Sequence, residues 1–274
     1  MVRSILAYVA LALLIFVMGA PTLWMIVTAF KAKEAVVTTD LLYLGKQWPI
    51  FDNFNEVATR WTFLPRLRDS FIVAGANTLL CMLLGIPAAY VFARRKFRGS
   101  KALQTYILSF RFLPPVTVAI PLFILFSYWG LIDTYQGLII AHLLFNLPLV
   151  IWLLKGFFQD IPKEVDESAM VDGCSVLGAI VRIILPIAKT GIVVCGIFAF
   201  IFSWNEFIMA LLLTRTAVKT VPIGIAAFLG GFGVAIEWHL VCAAVLTYVL
   251  PMFFFILVLQ KYIVRGLTMG AVKA

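Results

Sequence analysis

Five polar residues lie within stretches that are otherwise apolar: Arg111, His142, Asn146, Asn205 and Glu206. A charge in the core of a bilayer costs about 2.5–3.5 kcal/mol on insertion scales, so such residues persist where they bind something or pair with one another. A guanidinium, an imidazole and a carboxylate can relay an ion, and with two amides they can hydrogen-bond the hydroxyls of a sugar. His142 and Asn146 stand at i and i+4, on one face of one helix. Arg111 precedes Pro114-Pro115 by one turn, where a kink frees carbonyls for a donor. It can equally pair with Glu206 or meet an anionic substituent. For His142 with Asn146, and for Asn205 with Glu206, a buried interhelical hydrogen bond is an equally good account.

A second constellation occupies a polar stretch, about 158–189. Pro162 suits the first turn of a helix, and Glu164, Asp166 and Glu167 place negative charge at the positive end of its dipole. Asp172-Gly173 ends that helix, because Gly173 can take the left-handed conformation of a helix stop. Ser175 can cap a second helix running through Val181 toward Pro186. The expected shape is a projecting knuckle.

The elements that must hold these groups follow from composition. Of 274 residues, 63% are hydrophobic and 13% charged, against about 25% charged in a soluble domain. Six segments reach the length of a bilayer span, about 5–30, 71–93, 102–129, 137–157, 190–213 and 240–263. The expected fold is therefore an all-α membrane protein of six transmembrane helices, a single transmembrane domain covering 1–274. Arg94, Arg95, Lys96, Arg98 and Lys101 crowd one connector, which marks it as cytoplasmic. Alternation then puts both termini and the 158–189 loop in the cytoplasm. The Val221 to Ile236 stretch, interrupted by Gly224, Gly230, Gly231 and Gly233, is too short for a span and reads as an external loop or re-entrant segment.

Several classes are disfavoured. The net charge of +9 is dispersed between apolar segments rather than gathered on a face, which argues against nucleic acid. Cys81, Cys174, Cys195 and Cys242 have no metal or disulfide spacing, and His142 and His239 occur without HExxH, so neither a metal site nor an intramembrane enzyme is expected. There is no phosphate loop of the form GxxxxGK, so the chain has no cofactor of its own and cannot hold ATP. An ion-coupled secondary transporter using Arg111, His142 and Glu206 is the alternative, although no inverted repeat supports it.

Glu167-Ser168-Ala169, then Gly173, Ile183 and Leu185-Pro186, resemble the EAA loop of ATP-binding-cassette importer permeases, with Ser168 where the pattern has alanine. Leu113-Pro114-Pro115, Leu147-Pro148, Trp204-Asn205-Glu206-Phe207 and Gly266-Leu267-Thr268 with Gly270-Ala271-Val272-Lys273 extend the likeness to the maltose-type carbohydrate permeases, on the side of the smaller of the paired subunits. The resemblance implies a bacterial plasma (inner) membrane permease for a carbohydrate or related solute. Its implied partners are a second, homologous permease, two ATPase subunits that bind ATP and Mg2+, and an external solute-binding protein. It implies that Glu167, Ser168, Ala169, Asp172, Gly173, Leu185 and Pro186 couple to the ATPase. The tail with Gly266, Thr268 and Gly270 is implied to reach the ATPase interface. The solute itself is left open.

Overall fold

In a computed structural model of the chain, residues 2–38, 40, 43–46, 48–60, 62–229 and 236–269 are described, and all regular structure among them is helical. The helices are α1 Val2–Ala29, α2 Lys33–Val36, α3 Asp52–Arg60, α4 Phe63–Arg94, α5 Ser100–Ser109, α6 Pro115–Tyr128 and α7 Tyr135–Gln159. They continue with α8 Lys163–Val171, α9 Val176–Ala179, α10 Leu185–Ile187, α11 Lys189–Trp204, α12 Ile208–Leu213, α13 Val221–Leu229 and α14 Trp238–Met269.

Four of these are long and apolar enough to cross a membrane, and two bent pairs raise the number to as many as six among the described residues. The first bent pair is Ser100–Phe112 with Pro115–Tyr128, at 97°. The sequence suggests one kinked helix over 102–129, but the turn is far sharper than a kink. Leu113 is extended, as a residue before proline must be, and the Pro114-Pro115 pair restarts the helix without N–H groups to continue the old ladder. The second pair, Val176–Ile187 with Lys189–Trp204, turns by 83° at Ala188. Wide, π-type turns over Ile180–Ile184 precede Pro186, which lacks a donor for the normal ladder.

The expected helix over 190–213 is also divided. α11 stops at Trp204, and α12 resumes at Ile208. Glu206 therefore stands in a break rather than within a helix. Val221 to Ile236 opens with α13, whereas Gly230, Gly231 and Gly233 lie outside the described residues.

The chain forms two compact units, Met1–Leu67 with Ile223–Phe253, and Arg68–Pro222 with Phe254–Ala274. In the first unit α1 exposes nearly its whole apolar surface, none of its spanning window being buried. At its C-terminal end the Asn53 side-chain amide donates to the carbonyls of Ala29 and, just beyond the helix, Lys31, at 2.9 Å each. In the second unit α7 is central. Val150, Ile151, Leu154 and Phe158 from α7 form one apolar cluster with Cys81, Ala89 and Tyr90 from α4, and with Ile184, Ala188, Cys195 and Ala199. Gly85 lets α4 approach this close, because a Cβ there would stand 2.8 Å from Val150 Cγ1.

Candidate functional site

Arg111, His142, Asn146 and Glu206 line one cavity of 440 Å³ in the second unit. Three separate pieces of chain deliver them, and a fourth adds an aromatic ring. The Phe110–Phe112 turn before the 97° bend carries Arg111, α7 carries His142 and Asn146, α11 adds Phe202, and the break after α11 carries Glu206.

Each polar group except Arg111 has defined polar partners. His142 Nε2 is 3.3 Å from Glu206 Oε2, and its Nδ1 is 2.7 Å from Ser203 Oγ. Asn146 Nδ2 donates to Asn77 Oδ1 at 2.9 Å and to the Ala199 carbonyl at 3.4 Å. Glu206 accepts from the backbone N–H groups of Met209 (2.9 Å) and Ala210 (3.1 Å), the otherwise orphaned donors at the start of α12. Thus Glu206 pairs with His142 and caps a helix. Arg111 lies over the Phe202 ring at 4.3 Å, a cation–π geometry, rather than against Glu206 or the carbonyls freed by the prolines. Asn205 turns back onto its own helix, donating to the Ile201 carbonyl at 2.8 Å, and is not part of the cavity lining.

The 158–189 stretch folds as a tight knuckle. At the end of α8, Gly173 N–H donates to the Met170 carbonyl (3.1 Å) and Cys174 N–H to the Ala169 carbonyl (3.0 Å). With Gly173 at φ 84°, this is the paired closure of a Schellman stop. Ser175 Oγ then accepts from Gly178 N–H at 3.1 Å, capping α9. Around this turn Glu167, Ser168, Asp172 and Pro186 are exposed, Ala169 is buried, and Leu185 is half-buried. Val171 (86% exposed) and Leu177 (70%) project from it as bare apolar side chains. Bare apolar side chains on a polar turn mark a surface for contact with a protein or a membrane.

Two features were not visible in the sequence. Asp166 in α8 reads there as a dipole charge, yet its side chain is buried against α4: Tyr90 Oη donates to Oδ1 at 2.6 Å, and Arg94 Nε lies 2.8 Å from Oδ2. Asp133, in the connector between α6 and α7, has φ 60° and accepts backbone N–H groups from Arg215 (2.8 Å), Thr216 (3.0 Å), Ala217 (2.9 Å) and Val218 (3.3 Å). Partial burial pushes its carboxyl up, but those donors outweigh it and hold the group well below its usual range. Asp69 and Ser70 extend the same fastening, accepting from Lys219 N–H (3.2 Å) and Val221 N–H (2.9 Å). A helical-period scan cannot find such partners, since 82 or more residues separate Asp133 from the segment it holds. Gly266 and Thr268 fall in the last turns of α14, and Gly270 lies outside the described residues.

Residues 82–269 match the family model described as "Binding-protein-dependent transport system inner membrane component". The chain is 33% identical over 274 residues to the trehalose/maltose transport system permease protein MalG of Thermococcus litoralis, covering 99% of this chain and 97% of that protein. It is 30% identical to the sulfoquinovosyl glycerol transport system permease protein SmoH of Agrobacterium fabrum, over 98% and 93%. Among solved structures, a chain of a bacterial importer of the acidic polysaccharide alginate superposes with a TM-score of 0.81 at 19% identity, over 95% of this chain and 96% of that one.

Proposed function

Because the chain belongs to the family of binding-protein-dependent transport system inner membrane components, we propose how its two sites divide the work of an ATP-driven importer. The chain is an inner-membrane permease subunit, not an enzyme, and its relatives are permeases of sugar transport systems. Family membership also removes the ion-coupled secondary transporter as a reading of Arg111, His142 and Glu206.

The solute is a carbohydrate or close derivative. The chain forms the path with a second, homologous permease, receives solute from an external binding protein, and is driven by two ATPase subunits that hold ATP and Mg2+. Both termini and the 158–189 knuckle face the cytoplasm, and residues 1–274 act as a single permease domain. Glu167, Ser168, Ala169, Asp172, Gly173, Leu185 and Pro186 form the coupling contact, and the tail with Gly266, Thr268 and Gly270 reaches the ATPase pair.

The observation that carries this reading is the knuckle itself: a Schellman stop and a capped second helix that hold Val171 and Leu177 bare. A surface shaped this rigidly transmits displacement instead of absorbing it, so closure of the ATPase pair becomes rotation of the attached helices, a linkage of two states. The cavity is the solute-facing element. His142, Asn146, Glu206 and Arg111 present hydrogen-bonding groups beside the Phe202 ring, a combination suited to a sugar's hydroxyls and its apolar face.

The test is uptake by proteoliposomes containing the complete complex. Internal ATP with the loaded binding protein outside is expected to drive accumulation, and an imposed proton gradient without ATP is not. Accumulation on the gradient alone would overturn the assignment of the energy source.

A further inference from the structure

The knuckle follows α7 directly in chain and leads directly into α11, whereas α4 is separated from it by α5, α6 and α7. Ile184 and Ala188 of the knuckle share the apolar cluster with Cys81, Ala89 and Tyr90 of α4, and what ties α4 to α8 directly is a buried polar triad. Tyr90 and Arg94 stand at i and i+4 on the last turns of α4, and both reach Asp166 on α8. The ion pair is nearly dry, the Arg94 and Asp166 side chains being 8% and 6% exposed.

This use of Asp166 is selective on both sides. An aspartate near the start of a helix ordinarily serves its own backbone donors, yet both oxygens of Asp166 are directed to α4. In the basic run that begins at the end of α4, Arg95, Lys96 and Arg98 are exposed, whereas Arg94 turns inward to an acidic partner. Arg94 is thus distinct from the charges that fix topology. Tyr90 also packs edge-on against Phe158 of α7, 6.1 Å between ring centroids, so the triad rests on the core rather than on a mobile surface.

The geometry points to Asp166 as a positioning residue that makes α4 move as one body with the ATPase-bound knuckle, through Tyr90 and Arg94. This rests on the reading of the knuckle as the ATPase docking element. A strut must resist being pulled apart, and removing one partner of a buried pair leaves the other charge uncompensated, which is strongly unfavourable. With the triad intact, displacement of α8 is passed to α4. With it broken, α8 moves with α7 and α11 while α4 lags, and ATP is hydrolysed without the path reopening.

The experiment uses the complete importer, both permeases with the ATPase pair and the external binding protein, in proteoliposomes. The readout is solute moved per ATP hydrolysed, with co-purification of the ATPase recorded for each variant. Asp166→Asn and Tyr90→Phe are expected to retain the ATPase and basal hydrolysis while solute moved per ATP falls, by about tenfold for the loss of a charge-assisted hydrogen bond. Asp166→Glu, which keeps the carboxylate, is expected to recover part of the ratio, and the exchanged pair Arg94→Asp with Asp166→Arg more than either single change. A merely structural role predicts less assembled complex with a normal ratio in what remains. That outcome overturns the proposal. If Asp166→Asn fails to assemble, Tyr90→Phe decides, and a wild-type ratio in that variant overturns it. Absence of the ATPase from the wild-type complex would instead refute the docking reading, with the proposal falling as its consequence.

Discussion

Replacing Gly173 by alanine isolates backbone conformation from every other property of the knuckle. The residue has φ 84°, and a Cβ built on it meets no atom within 4 Å. Alanine therefore introduces no clash, only the strain of a left-handed L-residue, about 1–2 kcal/mol. The ratio of turned to straightened loop falls about 5- to 30-fold. Asparagine visits this region more easily and is expected to fall between glycine and alanine, and valine, β-branched, beyond alanine. The measurement is titration of the ATPase against the assembled permease pair. The apparent dissociation constant is expected to rise in the order Gly, Asn, Ala, Val, by up to the factor given, since only the turned fraction binds. Solute-stimulated ATP hydrolysis is expected to fall in the same order. Equal affinities across the series, or valine binding better than alanine, would refute the claim that the left-handed turn presents the docking surface.

Three further outcomes are expected. Asp133 has a depressed carboxyl pKa, so its contribution is complete above its ordinary value of 3.8 and is lost as pH falls below that toward the folded value. The protection factors of the 215–218 amides, taken against intrinsic rates at each pH, should fall as the pH drops through that window, and Asp133→Asn should abolish this acid sensitivity while lowering protection at neutral pH. Glu206→Ala removes the cap of α12, for which about 0.5–2 kcal/mol is expected, and leaves His142 without its anion; thermal unfolding of the assembled complex should register more loss for Glu206→Ala than for Glu206→Gln. Gly85→Ala forces Val150 to move, because the new Cβ would lie 2.8 Å from Val150 Cγ1. Overpacking of about 1–3 kcal/mol should lower the melting temperature, and Val150→Ala in the same chain should restore part of it.

Local signals carried much of the fold. The apolar runs gave the spans, because length and hydropathy are properties of a segment alone, and Pro162, Gly173 and Ser175 gave the knuckle, because stops and caps act within a few residues. Breaks and partners were harder. Pro114-Pro115 announced an interruption, but only packing sets the 97° angle. The division after Trp204 has no proline or glycine to announce it, and becomes intelligible once the Glu206 carboxylate is seen capping α12 and meeting His142. Of the cavity residues, His142, Asn146, Arg111 and Glu206 were recognisable as costly intramembrane groups, whereas Asn205 shares that cost and satisfies it locally. Asp166 does stand in the first turn of α8, but its partners Tyr90 and Arg94 lie 76 and 72 residues away in chain, and nothing local distinguishes a dipole charge from a strut.

Asp133 holds the 215–218 segment chiefly by its N–H groups, with one added contact from the Thr216 hydroxyl at 3.2 Å. Main-chain donors carry no amino-acid identity. Every residue except proline offers the same N–H, so Arg215, Thr216 and Ala217, all exposed, can be replaced with little risk to the loop's shape. One aspartate thereby releases its neighbours from structural duty. Over generations such a rim can be rewritten freely, letting descendants of one permease acquire new faces without redesigning the scaffold beneath them.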